Sequence, residues 1–190
     1  MHRLLVGLGN PGPRYEATRH NVGFEALDRI LEAAGGHWSR GRAEAVCAET
    51  VMEGIAVTLM KPLTYMNLSG SAVAELVAET GLTRREAIIY YDDVALPLGT
   101  LRIRERGSDG GHRGLASILG ALDGQDVPRV RIGIRLGTEP EDLAHFVLER
   151  FDDAERQTVD DVMHRVVEAT RSMLRDGLNK TMSQFNSIPA

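Results

Sequence analysis

Four polar side chains of the sequence have the types and positions needed to activate water against a carbonyl group. His20 stands just before a helix-like stretch, Asp92 ends the strand-like run "AIIYYDD", and Asn10 and Asn67 follow two further strand-like runs. A carboxylate can orient an imidazole and favour its protonated form, while neutral amides can bind a carbonyl oxygen or an oxyanion. Together these residues indicate general-base chemistry, although each one alone is compatible with a structural role.

The sequence offers no evident nucleophile of its own for such a reaction. It has no serine or cysteine in a G-x-S-x-G elbow. Its one cysteine, Cys47, lies in the strand-like "AEAVCAET" and is interpreted as a small core residue. A single cysteine excludes an intramolecular disulfide, and the sequence does not bring together enough histidine and carboxylate ligands for a metal site. Water activated directly by His20 is the simplest scheme.

Residues 7–12, "GLGNPG", have the G-x-G-x-x-G spacing of a dinucleotide-binding turn. In that turn the third glycine opens a helix that holds a pyrophosphate, and an acidic residue follows about 20 positions later. Here Pro11 and Pro13 flank the third glycine, the next helix begins only near Asn21, and the later region reads "LEAAGGHW". We therefore interpret the segment as a tight loop at a strand end, where open α/β sheets bind ligands.

Strand-like and helix-like segments alternate along the chain, which predicts the α/β class with a twisted, mostly parallel or mixed sheet flanked by helices. A hairpin is predicted around "MEG" at 52–54, and a helix is predicted to end before Gly81. The stretch "EDLAHFVLERF" at 141–151 is predicted as a helix, and a longer helix follows it. No linker or repeat divides the chain, so one domain over 1–190 is predicted.

The composition is that of an ordinary globular protein, and nothing in it predicts export or membrane insertion. No run approaches the roughly 20 apolar residues that span a bilayer. The N-terminus does not resemble a signal peptide, since Met1 leads almost directly into a strand-like stretch. The expected location is therefore the cytoplasm.

The formal net charge of −5 argues mildly against a nucleic-acid partner, but it conceals an uneven distribution. Seven arginines lie between Leu101 and Leu136, opposed by only four acidic residues, whereas the chain after Glu139 is mainly acidic. Because screening limits exposed charges to a range of about 10 Å, a local basic face can bind phosphates on an acidic protein. The alternative is an ordinary solvated arginine surface, which the charge pattern alone favours.

Four separated segments resemble, in order, the motifs of bacterial peptidyl-tRNA hydrolases. They are "GLGNPGPRYEATRHNVGF", "KPLTYMNLSG", "YYDDVALPLG" and "GGHRGL", and the resemblance extends from about Leu4 to Asn179. It implies a single α/β domain that acts as a monomer without metal, cofactor or obligate protein partner. The implied activity is hydrolysis of the ester that joins a peptide to the 3′ end of tRNA, which recycles tRNA from prematurely released peptidyl-tRNA.

The resemblance also implies a role for each matching side chain. His20 would activate water, Asp92 would orient the imidazole, and Asn10 would recognise the first peptide bond, which free aminoacyl-tRNA lacks. Asn67 would hold the substrate near the scissile carbonyl. Tyr15, Tyr65 and Met66 would line a groove for the peptide and the 3′ end. Arg104 and Arg131 are a looser match to the family's basic residues for tRNA phosphates.

The sequence departs from the family pattern at two positions. Arg113 follows His112 where the pattern has asparagine, and Ala95 stands where an aspartate is usual. Because arginine only donates hydrogen bonds and carries a fixed charge, we expect Arg113 to contact a tRNA phosphate in place of an amide contact.

The second function considered is that of a catalytically silent relative that keeps the fold and binds RNA. Such a protein needs no water-activating pair, so the joint presence of His20, Asp92, Asn10 and Asn67 favours the hydrolase. Arg113 is the one feature of the sequence that favours the silent relative.

Overall fold

The computed structural model describes residues 2–41, 43–138 and 140–187, and in it helices cover both faces of a seven-stranded sheet. The strands are β1 His2–Gly7, β2 Ser39–Arg40, β3 Ala45–Met52, β4 Ile55–Pro62, β5 Ala87–Pro97, β6 Leu101–Arg104 and β7 Arg129–Arg135. The α-helices are α1 Val22–Ala33, α2 Ser69–Thr80, α3 Arg113–Ala121, α4 Leu143–Phe146, α5 Asp153–Asp176 and α6 Leu178–Phe185. The predicted α/β class is confirmed.

The strands follow the order β2-β3-β4-β1-β5-β7-β6 across the sheet. Strands β4, β1, β5 and β7 are parallel, whereas the β3–β4 hairpin and the edge strands β2 and β6 pair antiparallel. In the central strand β1, Leu4 and Val6 join one apolar cluster and Leu5 the other. This alternation buries the strand on both faces, as is usual for the parallel centre of a mixed sheet.

Two apolar layers hold the helices to the sheet. On the face of Leu5, Leu27 of α1 and Val166 of α5 are fully buried. On the other face, Val73 of α2 and Leu115 of α3 are fully buried. The predicted helix that ends before Gly81 is confirmed, and this glycine has a φ of 66°, a left-handed conformation that commonly ends helices. Within the parts of the chain that the structure describes, no helix is long and apolar enough to cross a membrane.

The stretch 141–151 does not form the single helix that the sequence predicts, because only α4 is helical. Beyond α4, the carbonyl groups of Val147 and Glu149 accept hydrogen bonds from the backbone N–H groups of His20 and Arg19, at 2.8 and 2.9 Å. In a helix over 141–151 the Val147 carbonyl would instead accept the N–H of Phe151. Contacts with a distant part of the chain therefore override the helical periodicity.

Glycines let α1 lie against the end of β1. A Cβ atom on Gly7 would stand 2.3 Å from the carbonyl oxygen of Gly23, and one on Gly23 would stand 2.3 Å from that of Tyr90. A Cβ atom on Gly9 would stand 2.7 Å from the ring of Phe24. Gly7 and Gly9 therefore allow this loop to pack on α1, and this packing brings the residues just before α1 to the end of the sheet.

We expect Gly7→Ala to destabilise the protein by about 1–3 kcal/mol or more, because the added methyl group meets backbone atoms that cannot rotate away. Gly120→Ala is the matched control, since nothing lies within 4 Å of a methyl group added there. In a helix, alanine is favoured over glycine by roughly 0.5–1 kcal/mol. Urea unfolding measures both variants. Equal unfolding midpoints for the two would contradict the close packing of α1 on β1.

Candidate active site

The polar residues that the sequence singled out meet near the carboxyl ends of the parallel strands β1, β4 and β5. Asn10 lies in the loop after β1, His20 in a short 3₁₀ turn before α1, and Asp92 in β5. Asn67 lies in a 3₁₀ turn between β4 and α2. All four line a cavity of about 540 Å³, at the sheet edge where α/β proteins bind ligands.

His20 and Asp92 form a hydrogen-bonded pair. Nδ1 of His20 lies 2.9 Å and 3.0 Å from the two carboxylate oxygens of Asp92. Asp92 is buried, and the His20 side chain is 14% exposed. Because Nδ1 faces a carboxylate, it carries the proton of the neutral ring and donates a hydrogen bond to Asp92. Nε2 is therefore the basic nitrogen. A general base needs this tautomer.

The two groups shift each other's pKa. Burial lowers the pKa of His20, but the charge and hydrogen bond of Asp92 raise it, and the balance stays above the ordinary histidine value despite the opposing charge of Arg113. Burial raises the pKa of Asp92, whereas His20 and His112 lower it, and the balance holds it well below its usual range. Asp92 is therefore ionised at neutral pH, and His20 is a competent base only above its raised pKa.

His112 completes this group, although the sequence alone indicates no role for it. Its Nε2 lies 2.9 Å from Oδ1 of Asp92, and its ring centroid lies 5.1 Å from that of His20. Its Nδ1 accepts the backbone N–H of Leu115 at 3.1 Å and so caps α3. Nε2 then donates to Asp92, so His112 fixes the carboxylate from a second side. The available signal was its place just before a helix, the same signal that marked His20.

By distance alone, His20, Asp92 and His112 could also hold a metal ion, because their ligand atoms lie within 4.8 Å of one another. The sequence alone indicates too few ligands, because nothing in it places His112 in the group. Their hydrogen bonds already use Nδ1 of His20, the Asp92 carboxylate and Nε2 of His112. A metal on Nε2 of His112 would move its proton to Nδ1, toward the N–H of Leu115, and would remove the cap of α3. The donor set fits proton transfer better than metal binding.

Asn10 is fixed by three hydrogen bonds. Its backbone N–H and C=O pair with the side chain of Asn21 at 2.8 and 2.9 Å, and its Oδ1 accepts the backbone N–H of Met66 at 2.9 Å. The N–H of Met66 assigns the orientation of the amide, so Nδ2 is the end left to donate a hydrogen bond. Asn10 is 8% exposed and lines the cavity. It can therefore donate to a carbonyl oxygen of a bound molecule. The sequence indicates Asn21 only as the start of a helix.

Apolar and aromatic side chains form much of the cavity wall. Tyr15, Tyr65 and Met66 line it together with Asn67, so the structure brings these four residues together. Met66 is buried, whereas Tyr65 is 62% exposed. Apolar side chains from the segment 143–148 add a further wall, which the sequence does not predict. A mostly apolar lining with a few polar groups is typical of a ligand-binding cavity.

The three arginines singled out for tRNA phosphates have different surroundings. Arg113, the first residue of α3, is exposed and lines the cavity. Arg131 of β7 is partly exposed, and its Nε lies 2.6 Å from a carboxylate oxygen of Asp93, so its charge is partly neutralised. Arg104 is exposed on the edge strand β6 and does not belong to the described residues that line the cavity. Of these three arginines, only Arg113 lines the cavity that contains His20 and Asp92.

Comparisons with known proteins agree with one another. The model of the peptidyl-tRNA hydrolase family matches residues 4–190. Proteins named peptidyl-tRNA hydrolase from Koribacter versatilis and Chloroflexus aggregans are 45% and 43% identical, over 98% and 97% of this chain and 94% and 99% of theirs. A crystal structure of peptidyl-tRNA hydrolase from Acinetobacter baumannii is similar with a TM-score of 0.92 at 28% identity, over 97% of this chain and 94% of that one. The chain therefore belongs to the peptidyl-tRNA hydrolase family.

Proposed function

We propose that this chain hydrolyses the ester between a peptide, or another N-blocked aminoacyl group, and the 3′ end of tRNA, with His20 as the base that activates water. The observation that carries the proposal is the buried Asp92 carboxylate bonded to Nδ1 of His20, in one cavity with the fixed amide of Asn10. Burying a carboxylate is unfavourable for folding, and catalytic sites are where such groups concentrate. This favours the hydrolase over a silent RNA-binding relative.

The reaction needs one water molecule, which we place between Nε2 of His20 and the ester carbonyl carbon. As the water oxygen attacks, Nε2 takes its proton, and the carbonyl electron pair moves to oxygen to give a tetrahedral intermediate. Collapse of the intermediate breaks the bond to the ribose oxygen, which recovers the proton from His20. Asp92 stabilises the imidazolium between these two steps. The products are a peptide with a free carboxyl group and a tRNA with a free terminal hydroxyl group.

Selection of N-blocked substrates would rest on their first peptide bond. Nδ2 of Asn10 would donate a hydrogen bond to the carbonyl oxygen of that bond. A free aminoacyl-tRNA carries an ammonium group instead, which would leave the buried donor unpaired. Asn67 would hold the scissile carbonyl, and Tyr15, Tyr65 and Met66 would contact the peptide and the terminal nucleotide.

Binding of tRNA phosphates would extend from the cavity over Arg113 toward β7 and β6. Arg131 and Arg104 lie on these two neighbouring strands. A phosphate that approaches Arg131 has to compete with Asp93 for the guanidinium. A local basic surface of this kind is compatible with the net charge of −5 because acidic residues farther away are screened.

We expect Arg113→Asn to weaken tRNA binding and to make it less sensitive to salt. Loss of one phosphate contact reduces the slope of log K against log [salt] by a little under about one unit. Removal of the charge of Arg113 also raises the pKa of His20, so the acidic limb of the pH–rate profile moves to higher pH. Hydrolysis continues, since the base is intact. Binding titrations at several salt concentrations and a pH–rate profile measure both effects.

Arg113→Lys is the control for this prediction, because it keeps the charge and should keep both the slope and the acidic limb near wild type. If Arg113→Asn changes neither quantity, Arg113 faces solvent and contributes nothing to RNA binding.

The proposal includes action as a monomer in the cytoplasm without metal or cofactor. tRNA is used in the cytoplasm, and every group in the mechanism comes from one chain. Light scattering of the protein in solution tests the monomer. Full activity after dialysis against a chelator tests the absence of a metal.

The experiment that tests the activity is hydrolysis of N-acetyl-aminoacyl-tRNA, with the free aminoacyl-tRNA as control. We expect rapid release of the N-acetyl amino acid and little release of the free amino acid. Binding of both substrates without hydrolysis of either would favour the silent RNA-binding relative.

A further inference from the structure

A buried ion pair involves the residue that precedes the proposed base in the chain. Arg19 is 4% exposed, and its Nη2 lies 2.9 Å from each carboxylate oxygen of Glu155. Glu155 is 7% exposed and forms the capping box of α5 with Asp152. The turn that carries His20 is thus anchored to the first turn of the long helix α5.

The guanidinium of Arg19 also contacts two aromatic rings. Its Cζ lies 4.5 Å from the ring centroid of Phe146 and 4.8 Å from that of Phe151. Its Nε and Nη1 are buried and have no hydrogen-bond partner among the residues that the structure describes. This fits a planar cation held by ring faces and by one carboxylate. A lysine ammonium group has no plane to stack and cannot bind both carboxylate oxygens in the same way.

The backbone of the same turn holds the segment that contains both rings. The N–H of Arg19 donates to the carbonyl of Glu149 at 2.9 Å, and the N–H of His20 donates to the carbonyl of Val147 at 2.8 Å. Val147 also lines the cavity. The position of the imidazole and the position of this wall therefore depend on one set of contacts.

We propose that Arg19 is a positioning residue for His20 and acts through Glu155, Phe146 and Phe151. The inference rests on the proposed role of His20 as the base. Asp92 fixes the imidazole at Nδ1, but the backbone that carries the ring lies in a single 3₁₀ turn, which needs tertiary contacts to stay in place. A misplacement of about 1 Å in a catalytic group can reduce a rate by about 10²-fold, so the anchor acts on catalysis as well as on folding.

Arg19→Lys keeps the positive charge. It removes the contact with both carboxylate oxygens of Glu155 and the planar guanidinium that stacks on the two rings. We expect kcat to fall by about 10-fold with KM within about twofold of wild type, because the substrate contacts remain. We also expect the acidic limb of the pH profile of kcat/KM to move to lower pH, because a looser hydrogen bond to Asp92 raises the pKa of His20 less. Glu155→Gln should act in the same direction. The double variant should be little worse than the more affected single variant, because the two residues act as a unit.

Two control variants separate positioning from stability. Arg29→Lys changes a partly exposed ion pair with Asp160, 2.7 Å long, that joins α1 to α5 away from the turn. Val166→Ala removes buried methyl groups from α5 and destabilises the core without touching the turn. Both should keep the wild-type kcat and the wild-type acidic limb, at a temperature where circular dichroism shows each variant to be folded.

A folded Arg19→Lys variant with wild-type kcat and an unmoved acidic limb overturns the inference. A loss of kcat of the same size in Val166→Ala at equal stability also overturns it. If Arg19→Lys does not fold, Glu155→Gln and Phe151→Leu provide the same readouts. His20→Ala is measured alongside: if it remains active, the proposed function is wrong, whereas an inactive His20→Ala with a fully active Arg19→Lys contradicts only the role of Arg19.

Discussion

His20→Ala should lower kcat by roughly 10²–10⁴ and leave the affinity for tRNA close to that of the wild type. The imidazole is held at Nδ1 by Asp92, which leaves Nε2 for the proposed role of base, and the proposal assigns the phosphate contacts to arginines instead. Single-turnover hydrolysis of N-acetyl-aminoacyl-tRNA measures the chemical step, and filter binding of bare tRNA measures the affinity. Near-normal turnover by this variant would contradict the assignment of His20 as the base.

Asp92→Asn is the companion variant, and the direction in which its pH profile should shift follows from the pKa of His20. The carboxylate raises the pKa of His20 against the effect of burial, so its removal lets that pKa fall. The acidic limb of kcat/KM should then move to lower pH, while the plateau rate falls because the imidazolium loses its stabilising partner. In His20→Ala the limb should disappear. An acidic limb that survives in His20→Ala would belong to another group.

The sequence could predict those site residues whose position follows from one local segment. Asn10 follows the first strand, His20 precedes the first long helix, and Asp92 lies in a strand beside β1. Parallel strands place their carboxyl ends at one edge, so such residues converge by rule. The predictions of fold class and family are also confirmed. Both could be made from the sequence because they depend on the order of segments and motifs along the chain. The roles of the individual side chains remain predictions.

The missed features depend on contacts between distant segments. No local pattern indicates that His112 bonds to Asp92, because the loop before α3 has to fold back over β5 for the two to meet. The same holds for the ion pair between Arg131 and Asp93, which follows from the pairing of β5 with β7. The prediction of a helix over 141–151 is wrong because contacts with the turn before α1 replace helical hydrogen bonds.

Asn10→Asp should reduce kcat/KM for N-acetyl-aminoacyl-tRNA by about 5–150-fold, the equivalent of a missing hydrogen bond of about 1–3 kcal/mol to a buried partner. The aspartate keeps an oxygen that can accept the backbone N–H of Met66, which lies 2.9 Å from Oδ1 in the wild type. It replaces the Nδ2 donor with a second oxygen that repels a carbonyl oxygen. The variant thus tests the contact with substrate while it preserves the contact that fixes the loop.

Asn10→Ala removes both contacts, so the comparison separates them. If donation to the first peptide bond is the role of Asn10, both variants lose activity and both bind bare tRNA as the wild type does. If its role is to hold Met66 and the loop, Asn10→Asp keeps its activity and only Asn10→Ala loses it. Rates are compared at the plateau of each pH profile, because a new carboxylate near His20 also raises the pKa of the base. Wild-type kcat/KM in Asn10→Asp would therefore show that another residue selects N-blocked substrates. Asn67 would be the next residue to test, because it lines the same cavity.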